Sequence, residues 1–342
     1  MVARPDQRGY IENLHAKAMA LKWPSRLSPP AEDNPVLPTE LLSGEQAREL
    51  EPDLSPNIVA ALSSPETGIV DSHALMQSFE KDIKDSEAGE LVYSTRVVRV
   101  DPYQPSTQTS ASSEIGPAET GWVVQTVTGS AEDGDAVLAR TLINSTGLSA
   151  HLILNSLLPE SSRIPMYYAR GSYAAYHGPG ISRISRLIYP CPETGKTGHS
   201  FQSLGTHLTL DLQGKVRFGP DIEWITLPLE NSEDAEEVDF LGKYLIPDES
   251  RLVEMHRAVT GYLPEVTVEG MRPDYVGIRP KLVGPEGGFQ DFVIRVDLPD
   301  NSVGRVNRGN VMINLLGIES PGLTASLGIA EFIVEHVLDG GQ

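Results

Sequence analysis

The residues 315–337, LLGIESPGLTASLGIAEFIVEHV, set glycine, serine and proline directly ahead of a long apolar run. Ser320 is placed to cap a helix there, and Pro321 suits its first position, where a missing N–H costs nothing. Leu323, Leu327, Ala330, Val334 and Val337 recur at helical spacing and predict a buried stripe. Gly317 and Gly322 leave the main chain bare around that start. A bare helix N-terminus offers N–H groups and a positive dipole end to an anionic or electron-rich ligand. The design of strand, glycine and helix recurs at Thr146-Gly147. Two such turns at the carboxyl ends of apolar strands are what a doubly wound sheet uses to hold a dinucleotide, although two ordinary connections also fit the residues.

Two further residues carry chemistry by type. Arg279, in GIRPK, bears a guanidinium that pairs bidentately with a carboxylate. A surface ion pair is its other reading. His207, in LGTHLT, has an imidazole that titrates near working pH and so serves as a proton acceptor, or as a ring packed on a strand. GxSxG, HExxH and paired cysteines do not occur, which leaves no nucleophile arrangement and no metal site to assign. The single cysteine, Cys191, excludes an internal disulfide framework, fits a reducing compartment and reads as a small buried residue.

Composition narrows the partners. The 342 residues, 39% hydrophobic, are enough for a sizeable core and two domains. With 27 basic against 47 acidic side chains the net charge is −20, which repels nucleic acid and anionic membrane surfaces. No stretch approaches the roughly 20 apolar residues of a membrane span, and the start lacks the features of a targeting segment.

Elements that would position these residues follow from periodicity. An amphipathic helix is predicted near the start, with Tyr10, Leu14, Ala18 and Leu21 on one side. A proline-rich connector, 24–38, leads to a short capped helix from Thr39 to near Pro52. A further helix carries Leu75, Phe79 and Ile83 at i, i+4, i+8. ELVYSTRVVRVD and GWVVQTVTG read as strands around a flexible polar tip, 104–120, and AVLARTLINSTGLSAHLILNSLL as strand, turn and helix. From Ile164 the pattern turns to mainly antiparallel β structure, with YYARGSYAAYH, SRLIYPCP, THLTLDLQG and KVRFGP as strands. The acidic run 230–239 reads as a solvated face, and a helix with Leu252, Met255, Val259 and Tyr262 on one side follows it.

The combination TGIVD, INSTGLSA, YARGSY, LIYPCPETG, LGTHLTLDLQGKVRFGPDIEW, GIRPKL and LLGIESPGLTASLGIAE resembles the FAD-dependent oxidoreductases of the D-amino-acid oxidase superfamily, with the L-2-hydroxyglutarate dehydrogenases as the nearest branch. Members begin with a strand, a GxGxxG turn and a helix that grip the FAD pyrophosphate; this sequence contains no such segment. The resemblance therefore implies an α/β (α+β) fold: a doubly wound FAD-binding domain, N-terminally incomplete, with an inserted, mainly antiparallel substrate domain. The expected divisions are an N-terminal helical segment 1–62, FAD-binding parts 63–163 and 301–342, and a substrate domain 164–300.

It also implies site residues. Val97, Thr146 and Gly147 would lie near the adenosine half of FAD. Gly317, Ile318, Glu319, Ser320, Gly322, Leu323 and Thr324 would run beneath the ribityl chain and ring, with the helix end stabilising the anionic reduced flavin. Arg279 would clamp the carboxylate of a small dicarboxylate 2-hydroxy acid such as L-2-hydroxyglutarate, and Lys281, on the same strand face, would meet a second carboxylate or solvent. His207 would be the base; Arg170 and Tyr189 would line the pocket or pack. The electron acceptor is left unassigned. An intracellular, mitochondrial location is what the resemblance suggests. An amine- or amino-acid-oxidising flavoenzyme of the same superfamily, or a truncated, catalytically inactive remnant or interaction protein without cofactor, stays open beside this reading.

Overall fold

The computed structural model describes residues 1–23, 35–104, 120–131, 134–192, 205–226, 242–299 and 310–338. Most of the proline-rich connector, the tip of the first hairpin and the acidic run 230–239 lie outside the described residues. The chain forms two compact units. One combines residues 1–76 with 169–278, the other 77–168 with 279–342. The first 62 residues thus do not stand apart as a helical segment. They share a unit with the β-rich region because their strands and helices bury apolar side chains there.

In the first unit, Val2–Ala3 and Glu40–Ser43 flank Ala60–Ser63 in a three-stranded antiparallel sheet. Residues 40–43, expected inside a helix, extend instead. Ser43 then caps the helix Gly44–Leu50: its hydroxyl accepts from Gln46 N–H, and the Gln46 amide reaches back to Ser43 N–H. This reciprocal capping box satisfies donors that a helix start otherwise leaves open. The early helix Arg8–Ala20 turns Ile11 and Ala18 inward.

The larger sheet of this unit joins Tyr167–Tyr176, His207–Leu210, Val216–Gly219, Glu223–Ile225 and Met271–Lys281. Alternation sends Ala174, Tyr176, Leu208, Val216 and Phe218 to one face, where they meet Leu252, Met255 and Val259 of the helix Leu252–Thr260. Each such large apolar side chain contributes about 1.5–3 kcal/mol by leaving water. Residues 185–192, expected as a strand, make only isolated bridges, Ile188 with Leu208 and Pro190 with Val2.

The second unit holds the antiparallel sheet Thr95–Tyr103, Gly121–Thr128 and Asp135–Ala139. Beside it is a mixed sheet in which Met312–Leu316 lies between Val293–Asp297, antiparallel, and Leu142–Asn144, parallel. The helices Ala150–Leu157 and Gly322–Phe332 follow the two parallel strands, and a π-helical turn, Ile333–Leu338, extends the second.

The last helix corrects two expectations. It begins at Gly322, with Pro321 at the cap position and no side-chain cap, so Ser320 does not cap it. Of the expected buried stripe, Leu323, Leu327, Ala330 and Val334 face outward, Leu323 at 49% and Leu327 at 66% exposure, and Val337 alone packs inward. Ile329, Ile333 and Val337, four residues apart, pack on Val311 and Ile313 instead. The segment is apolar on more than one side, so the neighbouring strand selects which side is buried. No helix among the described residues is long and apolar enough to cross a membrane.

Candidate functional site

Both glycine turns leave the carboxyl ends of the same pair of parallel strands, since Asn144 and Asn314 stand opposite each other in the register. Both asparagines are buried, at 3% and 0% exposure. Asn144 Nδ2 donates to Asn314 Oδ1 at 2.8 Å and to the Ala150 carbonyl at 2.8 Å. Its Oδ1 accepts from the Thr146 hydroxyl at 2.8 Å, which ties the first turn to the pair. Asn314 Nδ2 donates onward to Asp297 Oδ2 at 3.0 Å, and Asp297 in turn takes both Nε and Nη2 of Arg295. A directional chain of hydrogen bonds, buried at its centre and half-buried at its ends, therefore crosses all three strands just below the two turns. Every member has its partner, the condition under which a buried polar network rigidifies its surroundings.

The turns themselves differ. Gly147 has φ +61°, a conformation that excludes most side chains, and a Cβ there would meet nothing within 4 Å. Thr146 and Gly147 are exposed. Gly317, at φ +66°, is buried, and a Cβ on it would lie 2.7 Å from Leu282 Cγ; Gly322 is closed over by Ile318 in the same way. The bareness of these two glycines accommodates the protein's own side chains. Ser320, Pro321, Leu323 and Thr324 are exposed, while Ile318 and Glu319 are half-buried. Of the expected contacts in the two turns, Ser320, Leu323 and Thr324 of the helix start and Thr146-Gly147 are the ones on the surface. Val97, the remaining expected contact, sits exposed at a bulge of the other, antiparallel sheet.

Glu319 connects this turn to the strand Met271–Lys281. Its Oε1 accepts from Lys281 Nζ at 2.6 Å, and its Oε2 lies 3.7 Å from Arg279 Nη1. Arg279 and Lys281, two residues apart, thus turn to one side as strand alternation requires. These three side chains are 17–28% exposed.

The expected residues of the other unit sit differently. His207 is 6% exposed and stacks on Tyr189 with ring centroids 4.0 Å apart. Of the two readings its type left open, these surroundings are those of a packed ring. Burial also pushes the Tyr189 hydroxyl above its usual pKa. Arg170 does not present its guanidinium to a pocket. Nε donates to the Tyr244 carbonyl, Nη1 to Glu223, and Nη2 to both the Ile246 carbonyl and Asp248, at 2.7–3.1 Å. It is a buried structural clamp. Ser250 and Arg170 hold the Asp248 carboxyl down to about 2 from its ordinary 3.8. A depressed carboxylate stabilises the fold fully above its unfolded pKa and ceases to do so as pH falls through the folded value. Stability is therefore expected to drop between about pH 4 and pH 2, and Asp248→Asn to flatten that limb in acid-unfolding curves.

The family model described as DAO, FAD dependent oxidoreductase, matches residues 2–336. The chain belongs to that family. Its sequence is 32% identical over 330 residues to a mitochondrial L-2-hydroxyglutarate dehydrogenase of Arabidopsis thaliana, covering 89% of this chain and 61% of that protein. An L-2-hydroxyglutarate dehydrogenase of Salmonella houtenae is 26% identical, with 88% and 66% covered. Among solved structures, the L-alpha-glycerophosphate oxidase of Mycoplasma pneumoniae superposes with TM-score 0.63 at 18% identity, covering 99% of this chain and 71% of that one. Glycine oxidase of Bacillus cereus gives 0.57 at 14% identity, covering 100% and 73%. These structural likenesses establish the fold. The mixed α/β architecture with antiparallel sheets is that of the DAO flavoenzymes, and the chain spans about three fifths of the length of its plant relative.

In this DAO-family chain, sequence reasoning singled out both turns but missed the Asn144–Asn314 pair between them. The one available signal was an asparagine three residues before each glycine, in INSTG and INLLG. His151, in the helix after the first turn, was also missed. It is buried, and burial lowers its pKa against the opposing pull of the Leu148 backbone. Among the described residues no group of three potential metal ligands comes together.

Proposed function

We propose that this chain takes part in flavin-dependent oxidation of a 2-hydroxy acid, with L-2-hydroxyglutarate the first substrate to test. The observation that carries this reading is the pair of glycine turns at the carboxyl ends of adjacent parallel strands, joined below by Asn144 and Asn314. Ligands of open α/β sheets bind outside such strand ends. The 32% identity to the plant dehydrogenase supports the choice of substrate. The names of its plant and mammalian relatives support a mitochondrial location.

The residues fit FAD in parts. Thr146 and the open Gly147 would receive one end, and Ser320, Leu323 and Thr324 the other. The positive end of the Gly322–Phe332 dipole faces that second site and favours negative charge there. The chemistry a bound FAD supplies is acceptance of hydride from the substrate Cα. Arg279 binds and orients the substrate carboxylate through its N–H fork. Its 3.7 Å separation from Glu319 is too long for a hydrogen bond, so that contact leaves the fork's donors open to a ligand.

The test is a titration of the purified chain with FAD. Saturable quenching of flavin fluorescence at one equivalent is expected, followed by anaerobic bleaching of the bound flavin on addition of L-2-hydroxyglutarate. A chain that takes up no FAD overturns the cofactor assignment; bound flavin that stays oxidised overturns the substrate.

A further inference from the structure

Lys281 and Arg279 together look like a site for two carboxylates, but Glu319 already stands between them. Its two oxygens are divided: Oε1 is bonded to Lys281 Nζ at 2.6 Å, and Oε2 faces Arg279 Nη1 at 3.7 Å. The backbone fixes that position. Glu319 N–H donates to the Gly317 carbonyl at 2.9 Å, and Gly322 N–H donates to the Glu319 carbonyl, so the residue is held inside a closed turn. Gly317 in turn lies against Leu282, the residue after Lys281. Strand and turn are therefore locked together both by packing and by charge.

We propose that Glu319 is a positioning and specificity-determining residue: it occupies Lys281 and steadies Arg279, so that the cluster accepts one substrate carboxylate and not two. The charges lead to this result. Glu319 brings its one negative charge to both cations, but bonds directly to only one of them. The direct 2.6 Å bond removes Lys281 from competition, whereas the longer approach to Arg279 orients the guanidinium without consuming it. The distal carboxylate of a dicarboxylate substrate then finds its partner elsewhere. This inference rests on Arg279 being the carboxylate clamp.

Butyrate and glutarate, which carry one and two carboxylates and no oxidisable hydroxyl, are the probes, with binding to the full chain read by calorimetry. Glu319→Gln keeps the side-chain shape but removes the anion bonded to Lys281; glutarate should then bind about tenfold more tightly relative to butyrate than in the parent chain. Lys281→Met leaves Glu319 with Arg279 alone, so both probes should weaken together by about tenfold as Glu319 turns onto the guanidinium. The proposal fails if Lys281→Met weakens glutarate and spares butyrate, because Lys281 would then be the second-carboxylate ligand. It also fails if Glu319→Gln leaves the glutarate-to-butyrate ratio unchanged. Arg279→Ala separates the two levels. If that variant binds butyrate as the parent does, the clamp reading itself is wrong; if it loses butyrate while Glu319→Gln changes nothing, only the role of Glu319 is overturned. Denaturant midpoints for each variant distinguish lost binding from lost folding.

Discussion

Asn314→Ala is expected to destabilise the unit of residues 77–168 and 279–342 by about 2–3 kcal/mol, seen as a lower urea midpoint with an unchanged slope. The side chain is fully buried and sits at the centre of the cross-strand chain. Its removal withdraws the acceptor from Asn144 Nδ2 and the donor from Asp297 Oδ2 together. Each loss falls on a buried or half-buried polar group, where water does not readily substitute. The effect should extend beyond stability. Asn144 fixes Thr146 through Oδ1, so loosening its partner should also weaken ligand binding at the Gly147 turn. A variant with parental stability would show that the two asparagines are adjacent without being coupled.

The second large effect is expected at Arg279. Arg279→Ala should lower kcat/KM for a 2-hydroxy acid by about 100-fold, or about 2.7 kcal/mol, mostly through KM. That size is what loss of a charge-assisted, bidentate pair predicts. Arg279→Lys should recover only part of it, since an ammonium lacks the planar fork. Steady-state kinetics of the FAD-loaded chain measure both. If Arg279→Ala kept the parental KM, the carboxylate would have to be bound elsewhere.

The two effects differ in how visible their causes are in the sequence. Arg279 announces itself by type and by its GIRPK setting, and strand alternation correctly places Lys281 on its side. The partner of both, Glu319, lies 38 residues beyond Lys281. Nothing in the local pattern of GIESPG indicates that its carboxylate returns to that strand. Asn144 and Asn314 are 170 residues apart, and each in isolation is an ordinary residue near a turn. Arg170 shows the opposite case. Sequence left it open between lining a pocket and packing, and the chain filled its hydrogen-bonding capacity with Glu223, Asp248 and two carbonyls.

By itself the sequence determined what depends on neighbours along the chain. The Gly147 and Gly317 turns follow from the need for positive φ, and the inward residues of the helix Leu252–Thr260 from a clean periodicity. The cap at Ser43 was likewise within its reach, since serine followed three residues later by glutamine can close both ends of a capping box. Only the tertiary structure decided the matters that depend on what arrives from elsewhere. Leu282 fills the space beside Gly317, and Val311 and Ile313 select the Ile329–Ile333–Val337 side of the last helix. The reason is that backbone conformation is a local energy, whereas burial and ion pairing are energies of contact between residues distant along the chain.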